Sequence, residues 1–185
     1  MNGNDQSSGA TTKATGNARS LSSRILTTVG GIGMVVGGID PLEGSILIFA
    51  GSGLMALGAF LGQSERRFIT YRLWVFILIA IGLGAVVGLS MVGGFGGSTG
   101  RSMWWGVLVL PYLIGWSMGI WGPGSARWLL WMGIGVGLWY VAILVMSLTQ
   151  GGLQYAGAMI AFATLGVLTI GGCINRLLHP VAALR

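Results

Sequence analysis

Charge is the property that this sequence has least of. Only 8% of its 185 residues are Asp, Glu, Lys or Arg, whereas a soluble domain usually carries about 25%. Hydrophobic residues make up 54% of the chain. A soluble protein with so few charges has too little polar surface to meet water, but a protein whose surface faces hydrocarbon has no such need. The composition therefore predicts an integral membrane protein.

Groups that carry chemistry are also scarce. The single cysteine, Cys173, excludes an internal disulfide, and the single histidine, His179, argues against a histidine-based metal site within one chain. Four acidic residues are present, and no ionisable residue lies deep in an apolar stretch, where ion-coupled pumps usually place one. With no acid–base pair and no activated nucleophile, we predict a protein that is not an enzyme, with no cofactor and no metal.

Six apolar stretches follow a polar N-terminal segment. Residues 1–20 are polar and have no apolar periodicity, so we predict a disordered tail. We predict a transmembrane bundle over 21–174 and a short cytosolic tail over 175–185. The predicted helices cover about 21–39, 41–61, 71–92, 103–121, 128–148 and 155–174. Because about 20 residues cross the ~30 Å of bilayer hydrocarbon, the predicted fold class is an all-α, polytopic membrane helix bundle with six transmembrane helices.

The connecting segments contain helix-start and turn signals. Asp40 is suited to the N-cap of the second helix, with Pro41 at its first helical position and Glu43 three residues after the cap. The glycine-rich segment 93–102 is interpreted as a flexible loop, and the Gly-Pro-Gly-Ser run at 122–125 as a tight turn.

Positive charge predicts the orientation of the bundle. With six spans and the N-terminus inside, nine of the ten basic residues lie on the inner side and Arg101 alone lies outside. The inner residues are Lys13, Arg19, Arg24, Arg66, Arg67, Arg72, Arg127, Arg176 and Arg185. By the positive-inside rule, both termini are cytosolic and the protein is a multi-pass protein of the cell inner (plasma) membrane. Five spans, without the weak first stretch, are the alternative. Since topology accounts for the charge of +6, no nucleic-acid partner is expected.

Glycine is abundant, with 35 residues, and its spacing is informative. Pairs of small residues four positions apart let membrane helices approach closely. The pairs are Gly33/Gly37, Gly58/Gly62, Gly84/Gly88, Gly115/Gly119, Gly133/Gly137 and Gly157/Ala161. Close packing within the bundle is the first expectation, and a dimer interface through one pair is the alternative.

Most of the eight tryptophans fall near the ends of predicted helices, where they predict an aromatic belt at the membrane interface. Trp116 and Trp121 belong to this group, at the inner end of the fourth helix. Trp139 is the exception, because it lies at mid-depth of the fifth helix.

Hydroxyl groups at mid-depth are the best place for a ligand site. Pro111 removes a backbone hydrogen bond at the centre of the fourth predicted helix, and a hydroxyl follows it directly. The tentative ligand site comprises Ser52, Tyr112, Trp139, Tyr140 and Thr164. Buried hydroxyls need partners in hydrocarbon. The first expectation is therefore that these groups form hydrogen bonds between helices without any ligand, and a pocket for a small neutral or apolar ligand is the alternative.

Two functional hypotheses follow. The leading one is a non-enzymatic accessory or scaffold component that packs against partner helices through glycine-rich faces. The alternative is a small permease or binder for a neutral or apolar solute. The expected partners are the lipid bilayer and either other membrane protein subunits or further copies in a homo-oligomer. Residues 21–92 and 103–174 have the length and helix number of an inverted repeat, although few residues match between them.

The first testable prediction concerns topology. A reporter enzyme that is active only outside the cytosol is fused to either end of the chain, and we expect no activity from either fusion because both ends are cytosolic. Activity from one fusion alone would indicate an odd number of spans.

Overall fold

The computed structural model describes residues 5–40, 43–62, 64–93, 108–149 and 156–179. These residues form six α-helices and no strand, so the fold class of the described part is all-α. The helices are α1 (Asp5–Ile39), α2 (Ser45–Leu61), α3 (Arg66–Met91), α4 (Leu110–Trp121), α5 (Arg127–Thr149) and α6 (Ala156–Leu178).

Among the described residues, three helices are long and apolar enough to cross a membrane. They are Asn17–Ile39 within α1, the whole of α3, and Arg127–Met146 within α5. Shorter apolar helices cover Ser45–Leu61 and Ala163–Leu178. Length and composition together indicate a membrane protein.

The N-terminal segment differs from the prediction. Residues 1–20 are predicted to be a disordered tail, whereas α1 begins at Asp5. The start of a helix is its costly step, and each further residue adds a hydrogen bond at little additional cost. Once the apolar part of α1 has formed a helix, the polar segment before it can extend that helix. This segment includes Ala10, Ala14 and Ala18, and alanine favours the helical conformation. Residues 17–20 of this extension are exposed.

Two helices begin later than predicted. The second is expected to begin at Pro41 with Asp40 as its cap, but α2 begins at Ser45, after a turn in which the Glu43 amide donates to the Asp40 carboxylate over 3.3 Å. Residues 41–42 lie outside the described residues. The fourth is expected over 103–121, of which 103–107 lie outside the described residues, and α4 begins at Leu110. Pro111 therefore stands in the first turn, where its missing N–H breaks no helical hydrogen bond, and the expected mid-helix break is wrong.

Consecutive helices pack as hairpins, and the shortest helix is central. The contacts within the pairs α1/α2, α3/α4 and α5/α6 are the most extensive in the bundle. Helix α4 contacts α1, α5 and α6 in addition to α3. Six of its twelve residues are buried. The order of the chain therefore determines the pairs, and α4 connects the pairs to one another.

Each hairpin is closed by glycine at its crossing point. A Cβ added at Gly30 of α1 would lie 2.5 Å from the carbonyl oxygen of Gly51 on α2, and the reverse distance is the same. In α5 and α6, a Cβ at Gly137 would lie 2.8 Å from the Gly166 carbonyl oxygen. In α3, a Cβ at Gly82 would overlap the backbone of α4. Real Cβ atoms do not approach other atoms so closely, so these positions need glycine.

The glycine pairs expected from the sequence differ in what they contact. At least one member of four pairs abuts a neighbouring helix: Gly37 and Gly58 between α1 and α2, Gly115 between α4 and α3, and Gly133 between α5 and both α4 and α6. At the pair Gly84/Gly88, no atom of another described helix lies within 4 Å of either Cβ position. The surroundings of the sixth pair, Gly157/Ala161, are not among the described features of α6.

The core and the outer surface are both apolar. Met34, Ile48, Ile79 and Ile120 have no exposed surface. Large apolar side chains also cover the outside: Ile46, Trp131, Leu178 and Met91 are 73%, 63%, 70% and 83% exposed, respectively. A surface of this kind suits hydrocarbon as its solvent.

Two glycines of α5 give a matched stability test. Gly137→Leu is expected to lower the free energy of unfolding by about 1–3 kcal/mol or more, because the new side chain has to force α5 and α6 apart. Gly135→Leu is the control, since the space around Gly135 is open. Replacing this glycine should be neutral or stabilising by up to about 1 kcal/mol. Thermal unfolding in detergent measures both, and equal melting temperatures would contradict the packing at the α5/α6 crossing.

Candidate functional site

The five residues of the tentative ligand site separate into two groups. Ser52, Tyr112 and Tyr140 are buried, with exposed fractions of 2%, 2% and 3%. Trp139 is 52% exposed, and Thr164 is also exposed. The structure therefore brings some of these residues into the bundle and places the others on its outer surface.

The buried hydroxyls are engaged in hydrogen bonds. Ser52 donates to the Phe49 carbonyl of its own helix over 2.8 Å. Tyr140 on α5 donates to the Gly38 carbonyl in the last turn of α1. Carbonyls in the last turn of a helix have no partner within that helix, so this phenol satisfies an acceptor that would otherwise be unpaired.

The indole of Trp116 makes a second connection to α1. Its Nε1 donates to the Met34 carbonyl over 2.9 Å, and its ring meets that of Tyr140 edge-on with centroids 5.9 Å apart. Trp116 is predicted to lie in an aromatic belt, but only 2% of its surface is exposed. The belt prediction is wrong for Trp116, because α4 lies at the centre of the bundle and presents this side chain to α1 and α5.

Tyr112 belongs to the same buried region. Its backbone lies against Gly82 of α3. Asp40, just after α1, is near enough to act electrostatically on the phenols of both Tyr112 and Tyr140. This region therefore joins four helices, namely α1, α3, α4 and α5.

Two further hydroxyl groups are buried in the bundle, and they are not among the residues predicted from the sequence. Ser117 of α4 and Thr169 of α6 have their oxygens 3.0 Å apart, and Thr169 also donates to the Leu165 carbonyl over 2.8 Å. The signal in the sequence was weak, because a lone Ser or Thr in an apolar helix often bonds only to its own backbone. Their meeting depends on how α4 and α6 face each other.

Arg72 has a different environment in the structure from the one predicted from the sequence. From the sequence it is counted among the charges that define topology at a helix end, but in the structure it is only 5% exposed. Its Nη1 donates to the Gly119 carbonyl over 2.7 Å, and its Nη2 donates over 3.1 Å to both the Pro123 carbonyl and Ser125 Oγ. A signal was present, since Arg72 lies beyond the polar segment that ends at Arg67, inside the apolar stretch.

The neighbouring Tyr71 acts on the same helix end. Its hydroxyl donates to the Met118 carbonyl over 2.8 Å. With Arg72 on Gly119, two adjacent residues of α3 satisfy two adjacent carbonyls in the last turn of α4. The guanidinium charge also opposes the negative end of the α4 dipole. The first turns of α3 therefore hold the end of α4 and the turn that follows it.

A cavity of about 180 Å³ adjoins this turn. It is lined by the turn 122–125, by Arg127 and Leu130 of α5, and by Arg176 and Leu177 of α6. We call it the arginine cavity. None of the lining residues is acidic. The cavity therefore concentrates positive charge between the ends of three helices.

Other reactive groups do not assemble into a centre in the described part of the chain. No group of three or more His, Cys, Asp or Glu residues is placed to hold a metal ion. Cys173 is fully buried, and its Sγ lies near Gly133 of α5. It fills space at the α5/α6 contact as a small apolar side chain.

Comparison with known proteins gives no relative: no family model matches the chain, and neither do any curated protein sequences or solved structures.

Arg72 and Arg66 provide a matched pair of substitutions on α3. Arg72→Lys keeps the charge but is expected to lower the free energy of unfolding by about 1–3 kcal/mol. The reason is that a single ammonium group cannot donate to Gly119, Pro123 and Ser125 together, as the planar guanidinium group does. Arg66→Lys alters an exposed residue of the same helix and should change stability by no more than about 0.5 kcal/mol. Thermal unfolding in detergent compares them. Similar melting temperatures for the two variants would mean that Arg72 does not hold the turn.

Proposed function

We propose that the protein is a non-enzymatic accessory or scaffold component of the cell's inner membrane. In this proposal it crosses the membrane six times, keeps both ends in the cytosol, and docks a partner's membrane helix on the outward face of α3. The observation that carries the proposal is the glycine pair Gly84/Gly88. Both residues are exposed, both have open space at the Cβ position, and they lie one turn apart on a helix fit to span a membrane.

The outward face of α3 has the composition of a helix-docking surface. Gly84 and Gly88 form a shallow groove between the exposed side chains of Ile81 and Met91. Such small-residue grooves let a second helix approach closely, and the gain is van der Waals contact that lipid tails do not supply as well. Gly135 and Gly171 are also open, but each lacks a small partner four residues away. The α3 pair is therefore the favoured docking face.

The distribution of arginine supports the proposed orientation. Arg72 bonds to the α4–α5 turn, and the same turn lines a cavity with Arg127 and Arg176. Ser23, next to Arg24, donates to the Gly58 carbonyl near the end of α2. Basic residues of α3, α5 and α6 thus lie around one turn, and the positive-inside rule favours the cytosolic face for such a concentration of positive charge.

The alternative function, binding or transport of a neutral or apolar solute, has less support. It requires Ser52, Tyr112, Trp139, Tyr140 and Thr164 to converge, but two of them lie on the outer surface. The hydroxyls of Ser52 and Tyr140 are committed to backbone carbonyls. The arrangement favours hydrogen bonds between helices over a ligand pocket.

Substitution of the α3 pair tests the docking proposal. In Gly84→Leu/Gly88→Leu the protein should melt as the wild type does, because no packed neighbour is disturbed. Recovery of any specific membrane partner, or of a second copy of this chain, should fall about tenfold or more as the groove fills. Affinity purification in mild detergent, with the co-purifying proteins quantified, measures the change.

Gly135→Leu is the control, because it fills open space on another helix and should leave recovery unchanged. An identical set of partners for both variants would contradict docking through α3. Co-purification of a small neutral molecule that is lost in Tyr112→Phe would instead favour the alternative function.

A further inference from the structure

Two arginines line the arginine cavity without a partner in the described part of the chain. Neither Arg127 nor Arg176 forms a hydrogen bond or an ion pair with another described residue. The acidic side chains that the structure describes lie elsewhere: Asp40 and Glu43 follow α1, and Glu65 precedes α3. Like charges held around one cavity repel each other, so this arrangement favours an occupant that carries negative charge.

The protein adds further positive potential to the same place. Arg72 lies beneath the turn and bonds to two of its residues, Pro123 and Ser125. Arg176 of α6 lines the cavity beside the same turn, and it is near enough to Tyr71 to act on it electrostatically. Charge from three helices therefore converges on one short turn.

Helix α5 contributes its N-terminus. The first hydrogen bonds of this helix run from the amides of Leu129 and Leu130 to the Ala126 carbonyl. The amides of Arg127 and Trp128 precede them and have no acceptor within the helix. The positive end of the dipole of a 23-residue helix thus adjoins the cavity.

We propose that the arginine cavity binds a phosphate-type anion, either the headgroup phosphate of an anionic phospholipid or free phosphate. A volume of about 180 Å³ equals roughly six water molecules at ~30 Å³ each, which accommodates one phosphate group and part of its hydration. Guanidinium groups pair with phosphate through two parallel hydrogen bonds, and two of them line the cavity. The proposal does not depend on helix docking through α3.

The position of the cavity is compatible with either source of phosphate. It lies at the ends of α4, α5 and α6, which the proposed topology places at the cytosolic surface of the membrane. Basic pockets between helix ends bind anionic headgroups. Trp128, at the start of α5, is 37% exposed beside it, as expected of an interfacial residue. An opening at that level also admits phosphate from solution.

Binding is measured on the full chain with two probes. Inorganic phosphate is titrated against protein in neutral detergent, at an ionic strength held constant with chloride, and the melting temperature is followed. Separately, retention of phosphatidylglycerol over phosphatidylcholine is measured by mass spectrometry of protein taken from mixed nanodiscs. The variants are Arg127→Gln and Arg176→Gln. Arg24→Gln is the matched control, because it removes the same charge from an exposed position that does not line the cavity.

We expect the wild type to respond to at least one probe. Each cavity variant should lower the apparent affinity about tenfold or more, as expected for one lost charge-assisted contact, while the control stays within about twofold. A response to the lipid alone assigns the headgroup, and a response to inorganic phosphate assigns the free anion. The absence of any wild-type response, or an equal loss in Arg24→Gln, would overturn the proposal.

Folding of each variant is checked by circular dichroism. Arg176→Lys provides a second test if either glutamine variant does not fold, because lysine retains the charge but lacks the planar guanidinium group. Reduced affinity in this folded variant supports the site, and wild-type affinity in it argues for diffuse surface charge and against the cavity.

Discussion

Carbonyl groups in the last turn of a helix receive no hydrogen bond from an N–H group of that helix. In apolar surroundings each of them needs a donor from elsewhere. In this bundle, side chains of neighbouring helices supply the donors. The pairs, donor first, are Tyr71 with Met118, Arg72 with Gly119 and Tyr140 with Gly38. Each bond joins two helices as well as satisfying a carbonyl. The ends of α1 and α4 are therefore positioned by the same interactions that remove their polarity.

Close approach of the helices depends on glycine. Gly30 with Gly51 and Gly137 with Gly166 bring two hairpins to backbone contact, and Gly82 does the same for α3 and α4. Only at such short separations do side chains of moderate length reach the carbonyls of the next helix. Close helix packing and the hydrogen bonds to terminal carbonyls thus reinforce each other. Both stabilise the position of α4, the short helix at the centre of the bundle.

The described polar groups are largely engaged in holding the bundle together. This explains why buried tyrosines do not in themselves indicate a ligand site here: the Tyr140 hydroxyl is occupied by a backbone carbonyl of α1. Two features are not accounted for by such bonds. One is the outward glycine pair on α3, and the other is the arginine cavity, where Arg127 and Arg176 face no acid. The proposed docking and anion-binding roles rest on these two features.

The helical class and the apolar stretches follow from the sequence alone, because composition and the length of hydrophobic runs are local properties. The sequence also shows which glycines lie one turn apart. Which of these glycines pack against a neighbouring helix depends on the tertiary structure, since Gly137 and Gly84 look equivalent until neighbouring helices are present. The candidate site was predicted in part: Tyr140 is buried but Trp139 is exposed, because adjacent residues on a helix point about 100° apart and the direction of the core is not encoded locally. Arg72 shows the same limit, since its acceptors are provided by a turn about 50 residues away in the chain.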